Sequence, residues 1–404
     1  MTERRDLLHS FFRKAKKTYY TLVNGGINGA NRIVGASYGI RNRAIGEVVR
    51  SAARAWGAYA TFLMNFPRYD VTKVSGEAGT IVYVGVADLY RVALMSTLLP
   101  EGYEEEALGR EAAWRLPART QEWLDTADLI VWRVSRKHPW RMPTAYTLEN
   151  PLHIQLVLDL DKPPEALLEG GGRVKSRLRQ KVRKMQVSFT SRLSQSMDDF
   201  EHFYHRMYLP TLQKRFGDLA ERLPYEVLKG WMERGCLIQI VQGDQVIAAA
   251  LNYVQNDVCF AGAIGYLDGE ASWIEQGASI AVYWYTIEWA YQQGLARLDF
   301  IGANAWESNG VFHAKQQWGP RLGAFPYEHT KLVMGADRLS AVWQDRLNAM
   351  GFLTCVNGKY LRAYFENPAQ PYGQAEIETL RTRATKRGLG GVQLIGPGTR
   401  RNFF

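Results

Sequence analysis

The chain has 404 residues, of which 46% are hydrophobic, 22% charged and 12% aromatic. This composition excludes a disordered chain and predicts a sizeable core, divided between two domains or pseudo-domains. The formal net charge of +10 favours anionic partners, namely phosphate cofactors, nucleic acid or an anionic membrane surface, and does not choose among them. The three cysteines form no C-x-x-C pair, so neither a zinc ribbon nor a redox dithiol is predicted, and no metal site is expected.

The first 55 residues are strongly basic, and apolar residues recur among them at helical spacing. This pattern predicts an amphipathic helix that lies either on a membrane surface or on the protein's own fold. No secretory apolar region is present, and the most apolar stretch, Thr80 to Pro100, contains Asp88 and Arg91. We therefore expect no membrane span and a cytoplasmic protein, with peripheral contact at the inner face of the membrane as an open alternative.

Residues 57–165 have the pattern of a mixed α/β region. Strands are predicted at Thr80–Val86, Leu129–Val134 and Leu152–Leu160, because β-branched and apolar residues dominate or alternate there. Helical patterns are found around residues 87–97 and 104–124.

A basic helix is predicted at residues 173–185, after a run of three glycines. Its apolar residues fall at spacings of four, four and three, which gives one buried stripe, and its other faces carry cations: Arg173, Lys175, Arg177, Arg179, Lys181, Arg183 and Lys184. The cationic face is either solvated or in contact with a polyanion.

The second half is predicted to run in the order β-α-α-β-β-β-α-β-α-β. Its elements are a strand at 186–190, a helix capped by Ser196, kinked at Pro210 and ended at Gly217, a helix at 225–233, three strands at 236–241, 246–254 and 258–266, a helix at 277–293, a strand at 297–301, a helix at 310–317 and a strand at 327–333.

This order is that of the GNAT superfamily, and four segments resemble motifs of its Fem-type acyltransferases. They are the basic helix at 173–185 (R-x-x-i-R-k), the hairpin at Gly243-Asp244, Ala290 to Phe300 (A-x-x-x-G…D-F) and Gly310 to Gly319 (G-x-x-x-F-K-x-x-W/F-G, here with Phe312 and Lys315 not adjacent). The resemblance covers about residues 173–333. It implies an α/β (mixed α+β) fold whose splayed mixed sheet is flanked by helices, in two tandem GNAT-like lobes. The expected divisions are a basic segment at 1–55, a degenerate first lobe at 56–170, an acyltransferase lobe at 171–335, and a C-terminal helix and basic tail at 336–404. The tail from about Asn367 is expected to form a partly extended arm.

The resemblance implies acyl transfer to an amine, which must lose a proton while the carbonyl oxygen becomes charged. Lys315 lies where the family motif has a functional lysine, and its ammonium is predicted to contact an anionic substrate group or the developing oxyanion; the alternative is a surface lysine. Asp299 is a candidate base or amine ligand, or else a loop cap. His313 is a candidate base, or a residue of the helix surface. Tyr266 is a candidate hydrogen-bond donor at the splay.

A donor site is predicted at Gln276, Gly277 and Ala278, where small residues begin a helix and can approach a pyrophosphate. The full Gln/Arg-x-x-Gly-x-Gly/Ala spacing of acetyl-CoA enzymes is absent, so an aminoacyl-tRNA donor stays an alternative. Three aromatic residues are candidates for the substrate groove, with core packing as the other interpretation: Tyr283, Trp284 and Trp318.

The first hypothesis is an N-acyltransferase that uses acyl-CoA as co-substrate, holds no permanently bound cofactor, and acts on an amine of a lipid or cell-envelope precursor, such as a sphingoid base, an amino sugar or a peptidoglycan precursor. The second is a Fem-like transferase that uses aminoacyl-tRNA. The third is a non-catalytic scaffold that binds anionic membrane or RNA through residues 1–55 and 173–184. The sequence predicts no oligomeric state.

Overall fold

A computed structural model describes residues 51, 68–170, 173–220, 222–326 and 328–404. These residues form three β-sheets flanked by helices, which confirms the predicted mixed α/β class. Nearly all of the basic segment 1–55 and the first residue of the strand predicted at 327–333 lie outside the described residues.

The first sheet has six strands in the order β3-β1-β2-β4-β13-β5. Its elements are β1 (Tyr69–Gly76), β2 (Gly79–Val84), α1 (Leu89–Leu98), β3 (Tyr103–Glu111), α2 (Leu116–Leu124), β4 (Leu129–Ser135), β5 (Tyr146–Pro151) and β13 (Thr330–Ala336). The prediction of a helix over residues 104–124 is wrong for the first half of that range. Residues 103–111 form an edge strand against β1 instead, with their acidic side chains in solvent.

The second sheet has seven strands in the order β12-β6-β11-β10-β9-β8-β7. They are β6 (His153–Asp159), β7 (Thr190–Ser194), β8 (Gly235–Gln242), β9 (Gln245–Gln255), β10 (Val258–Tyr266), β11 (Arg297–Asn304) and β12 (Arg321–Ala324). The strand predicted at 186–190 begins four residues later, because the basic helix continues to Ser188. The parallel pair in this sheet is β10 with β11.

Helices cover both faces of the second sheet. They are α3 (Arg173–Ser188), α4 (Met197–His202), α5 (Leu209–Phe216), α6 (Tyr225–Met232), α7 (Ala271–Gln276), α8 (Ala278–Gln292) and α9 (Gly310–Gln316). Because strand side chains alternate, Ile238 and Ala250 pack with α3 and α8 on one face, whereas Leu237 and Leu251 pack with α4 and α6 on the other. The predicted kink at Pro210 is confirmed as a π-helical turn at Phe203–Tyr208, immediately before the proline that lacks an N–H.

Each predicted lobe contributes one strand to the other's sheet. β6 lies before the predicted boundary at residue 170 but pairs with β11 and β12. β13 lies after that boundary but pairs with β4 and β5. The two predicted lobes are therefore joined by backbone hydrogen bonds within each of the two sheets.

The C-terminal residues fold into a third sheet, rather than the extended arm expected from the sequence. It has the order β14-β15-β16-β17 and comprises β14 (Leu353–Val356), β15 (Lys359–Phe365), β16 (Gly391–Gly396) and β17 (Thr399–Phe403), with α10 (Ala341–Met350) and α11 (Gln374–Thr385). The tail folds because Val392, Leu394 and Ile395 are fully buried, which outweighs the solvation of the surrounding arginines. Within the described part of the chain, no helix is long and apolar enough to cross a bilayer.

Candidate active site

A cavity opens where β10 and β11 separate. The two strands pair in parallel as far as Phe260 and Asp299. Beyond that pair each strand has a bulge, in β10 between Ala261 and Ala263 and in β11 between Asp299 and Gly302, and a bulge bends its strand. The strands then diverge around a cavity of about 550 Å³, which lies within the range of roughly 300–1,000 Å³ typical of small-molecule sites.

The wall of this splay cavity comes from six helices and strands, one of which, α7, contributes Ile274. The lining residues include Arg215 and Phe216 of α5, Gly262, Ile264 and Tyr266 of β10, Ser279 and Tyr283 of α8, Phe300, Ile301 and Gly302 of β11, and Gly310, Val311, Ala314 and Lys315 of α9. The wall is mostly apolar and carries two cationic side chains and two phenols. Such a surface suits a long, partly apolar ligand with an anionic or polarised group.

Lys315 is the buried cation of this cavity. Asn309 caps α9 by accepting a hydrogen bond from the Phe312 N–H, and the helix then holds Lys315 against β11. Its Nζ donates a hydrogen bond of 2.8 Å to the Gly302 carbonyl oxygen, and the residue is only 8% exposed. Burial lowers the pKa of the Lys315 ammonium to about 8, although the Asp299 carboxylate opposes this shift. A buried ammonium with spare N–H groups is suited to stabilise a negative charge that develops beside it.

Asp299 is the last residue of β11 that pairs with β10. It lies beside a second cavity of about 360 Å³. One carboxylate oxygen accepts a hydrogen bond of 2.7 Å from the Ile301 N–H, and the other accepts one of 2.5 Å from Gln155. Burial raises the pKa of the Asp299 carboxyl, and these hydrogen bonds and the Lys315 ammonium oppose the shift. The carboxylate thus fixes the bulge and supports the charge of Lys315 electrostatically.

Ile301 has φ = 63°, in the left-handed region that a β-branched residue rarely adopts. The bulge that Asp299 holds is therefore strained, and Ile301 itself lines the splay cavity.

Tyr266 is fixed at the end of β10 on the opposite wall. Its backbone N–H donates a hydrogen bond of 2.9 Å to the hydroxyl of Thr211 in α5, so strand and helix are held together there. Burial raises the pKa of the Tyr266 phenol, and hydrogen bonding with Ser279 partly offsets this shift. Tyr266 is therefore a protonated hydrogen-bond donor near neutral pH.

The first turn of α8 lies at the same end of the cavity. Gly277 ends α7 with φ = 106°, a conformation that favours glycine, and α8 begins at the next residue. Ala278 is buried, Gln276 is exposed, and it is Ser279 that reaches the cavity wall. A helix N-terminus beside Arg215 is an electrostatically favourable place for an anion.

Of the remaining candidates from the sequence, Tyr283 lines the cavity, whereas Trp284, Trp318 and His313 do not. Burial raises the pKa of the Tyr283 phenol. Trp284 and Trp318 are fully buried and pack against each other with ring centroids 6.2 Å apart. These two side chains are therefore part of the core, which was the other interpretation of the aromatic residues. His313 is exposed on α9 and is not among the described residues that line the cavity.

Sequence reasoning missed Arg215, Ser279 and Gly302. Gly302 carried a usable signal, because an isolated glycine inside a strand marks a bulge or a close backbone approach. Arg215 carried none, since one arginine at the end of an amphipathic helix is ordinary. Among the described residues, no group of three or more His, Cys, Asp or Glu side chains is arranged to hold a metal ion.

Residues 172–308 match the family model of the acetyltransferase (GNAT) domain. FemX is similar in structure at 12% identity, with 68% of this chain and 90% of that chain covered and a TM-score of 0.36. A GCN5-related N-acetyltransferase from Sphaerobacter thermophilus is similar at 13% identity, with 65% and 74% covered and a TM-score of 0.30. L-PGS from Bacillus licheniformis is similar at 10% identity, with 69% and 84% covered and a TM-score of 0.31. These likenesses are too distant to carry an argument. No curated protein matches the sequence.

Proposed function

We propose that this chain, an acyltransferase whose residues 172–308 form a GNAT acetyltransferase domain, transfers an acyl group from acyl-CoA to an amine of a lipid or cell-envelope precursor. The observation that carries the proposal is the splay cavity of about 550 Å³, with Tyr266, Lys315 and the start of α8 in its wall. One end of the cavity offers a helix N-terminus and Arg215 for phosphates, and the middle offers apolar surface for an acyl chain.

In this proposal the donor's phosphates lie toward Arg215 and the first turn of α8, with Gly277 and Ala278 allowing close approach of the backbone. The thioester lies between β10 and β11. The acceptor nitrogen attacks the carbonyl carbon, the new C–N bond forms, and the C–S bond breaks after the amine has lost a proton.

Lys315 and Tyr266 have separate roles in this step. The Lys315 ammonium stabilises the negative charge on the carbonyl oxygen, and because its pKa is about 8 the lysine is still mostly charged at neutral pH. The Tyr266 phenol donates a hydrogen bond to the leaving sulfur, and the thiolate that leaves takes up the proton that the amine has lost, which gives the amide and the free thiol of CoA. Asp299 acts through Lys315, because its carboxylate favours the charged form of that lysine.

The test is thiol release from acetyl-CoA by the purified full chain, measured with sphinganine, glucosamine and a lysine-containing peptide as acceptors. We expect release that depends on one of these amines, together with a product heavier by one acetyl group. Tyr266→Phe should slow it, and Tyr291→Phe, which alters an exposed tyrosine on α8, is the matched control. Release without dependence on any amine, or equal rates in both variants, would contradict the proposal.

A second candidate is a transferase that uses aminoacyl-tRNA, and α3 is the observation that favours it. Lys175 and Arg179 of this helix donate hydrogen bonds to the carbonyl oxygens of Leu167 and Leu168. The other described cations of the helix project into solvent without a carboxylate partner among the described residues: Arg177, Lys181, Arg183 and Lys184. Like charges at this density repel unless a polyanion neutralises them.

The two candidates differ in their response to salt. Binding of aminoacyl-tRNA falls steeply with added salt, and the paired substitution Lys181→Glu and Arg183→Glu should flatten that dependence. Binding of acetyl-CoA should be unaffected by this pair, because α3 does not line the splay cavity. Transfer from aminoacyl-tRNA, without transfer from acetyl-CoA, would replace the first candidate with the second.

A further inference from the structure

A cleft that is separate from the two cavities described above lies where the three sheets meet. Its volume is about 270 Å³, just below the range of roughly 300–1,000 Å³ typical of drug-sized ligands, so it suits a small polar molecule or head group. The described residues that line it are mostly polar or charged, and they come from strands of all three sheets, from Arg136 just after β4 and from the segment between β12 and β13. None of these polar groups belongs to the wall of the splay cavity.

Asn150 gives the first indication of a ligand. It lines the cleft and is only 2% exposed. Its amide nitrogen donates a hydrogen bond of 2.9 Å to the Pro151 carbonyl oxygen, which fixes the orientation of the amide. Its amide oxygen has no hydrogen-bond partner among the described residues. A buried carbonyl oxygen without a donor is costly, so the missing partner is an N–H or O–H group.

His153 and Glu328 give the second indication. The His153 Nδ1 lies 2.7 Å from a Glu328 carboxylate oxygen, across 175 positions of sequence. Burial tends to raise the pKa of the Glu328 carboxyl, but hydrogen bonds from His153 and Thr330 bring it below its ordinary value, so it is ionised. The Nδ1 must then carry the proton of this hydrogen bond. The ionised Glu328 carboxylate therefore supplies a negative charge at this side of the cleft.

Arg136 gives the third indication. The other cation of the cleft, Lys331, is paired with Glu149 at 2.9 Å. Arg136 lines the same cleft and has no carboxylate partner in the described part of the chain. The cleft therefore has an arginine without a carboxylate partner among the described residues and an ionised carboxylate, Glu328, and the ligand that complements both has two charges of opposite sign.

We propose that this cleft is a binding site for a small zwitterion, a primary amine that also carries a phosphate or carboxylate group. The ammonium donates a hydrogen bond to the Asn150 amide oxygen and is attracted by the Glu328 carboxylate, and Arg136 binds the anionic group. The site stands independently of the acyl-transfer proposal, because none of the residues that carry it lines the splay cavity.

The cleft is nevertheless close to that cavity. The Phe325 ring lines the cleft, and its centroid lies 5.8 Å from that of His153. The same ring packs so closely on Gly302 that a Cβ at that position would lie 2.9 Å from it. Gly302 lines the splay cavity and holds Lys315 through its carbonyl oxygen. A ligand of the cleft thus lies behind the wall that positions Lys315.

Calorimetric titration of the full chain tests the proposal, with phosphoethanolamine and glycine as zwitterions and with ethanolamine and inorganic phosphate as single-charge controls. We expect phosphoethanolamine or glycine to bind at least tenfold more tightly than either control. The zwitterion that binds more tightly shows whether the cleft prefers a phosphate or a carboxylate as the anionic group. If both zwitterions bind no more tightly than ethanolamine or phosphate, the proposal is overturned.

Three variants locate the binding in the cleft. Arg136→Gln should remove the advantage in affinity of the zwitterion over ethanolamine. Asn150→Leu should weaken the binding of the zwitterion and of ethanolamine about ten- to a hundredfold and leave the binding of phosphate unchanged. Arg141→Gln, at an exposed arginine outside the cleft lining, is the matched control. Thermal unfolding of each variant checks folding, and undiminished binding by folded Arg136→Gln and Asn150→Leu proteins would overturn the proposal. Acetyl-CoA binding in the same variants is expected to be unchanged, so failure of the acyl-transfer proposal is seen separately.

Discussion

Replacement of Lys315 by methionine should lower the rate of acyl transfer strongly and leave the free energy of unfolding nearly unchanged. The ammonium is only 8% exposed, and its pKa of about 8 compares with an ordinary value of 10.5. That difference corresponds to roughly 3 kcal/mol of unfavourable interaction in the charged form, at about 1.4 kcal/mol per pKa unit. The substitution removes this penalty but leaves the Gly302 carbonyl oxygen without its donor, which costs about 1–3 kcal/mol. The two effects nearly cancel, so we expect the free energy of unfolding at pH 7 to stay within about 2 kcal/mol of wild type.

The rate of acyl transfer should respond very differently. Loss of one donor to a developing oxyanion typically lowers kcat by about 10²- to 10³-fold, and we expect that loss in Lys315→Met at pH 7. Thiol release from acetyl-CoA measures the rate, and urea unfolding measures the stability. Lys386→Met, at an exposed lysine near the end of α11, should change neither.

The pH dependence of the free energy of unfolding gives a second test of the same lysine. Its pKa is lowered in the folded state, so between about pH 8 and pH 10.5 the unfolded chain binds more protons, and the contribution of Lys315 to stability rises with pH in that window. This rise should be absent in the methionine variant. A variant that keeps its full rate, or one that loses more than about 3 kcal/mol of stability, would refute the reasoning.

Three further predictions concern the same wall. Asp299→Asn removes the carboxylate that favours charged Lys315, so the alkaline fall in kcat, expected near pH 8 in wild type, should move to lower pH; an unchanged pH–rate profile would show that the two groups are not coupled. Tyr266→Phe should lower kcat about ten- to a hundredfold with little change in KM for acetyl-CoA, and a rise in KM alone would assign the phenol to binding. Gly302→Ala places a Cβ 2.9 Å from the Phe325 ring and should cost about 1–3 kcal/mol in urea unfolding, while adding Phe325→Leu should restore part of it; strictly additive costs would show that the ring is not the cause.

Local signals in the sequence predicted much of the second half correctly. The hairpin expected at Gly243-Asp244 forms, and Gly243 adopts the left-handed conformation with φ = 58°. The helix predicted at 277–293 forms as α8, and eight of its residues are buried. These features depend on interactions within a few residues, which is the range over which sequence patterns are informative.

Pairings between distant segments were beyond such signals. Whether β6 pairs with β4 or with β11 depends on the relative fit of whole sheets, and its alternating pattern is the same in either place. The dyad of His153 and Glu328 joins residues 175 positions apart, and neither has a motif around it. The tail was misread because its many arginines concealed a short buried run at Val392 to Ile395.

The central claim is that the space between β10 and β11 holds the acyl donor. Photolabelling of the full chain with a CoA thioester of a short, diazirine-bearing fatty acid tests it most directly, with peptide mapping of the label by mass spectrometry. The account predicts label within residues 261–266 and 310–315, removed by excess acetyl-CoA. Label confined to α3 or to the cleft at His153, or label that excess acetyl-CoA does not displace, would contradict it.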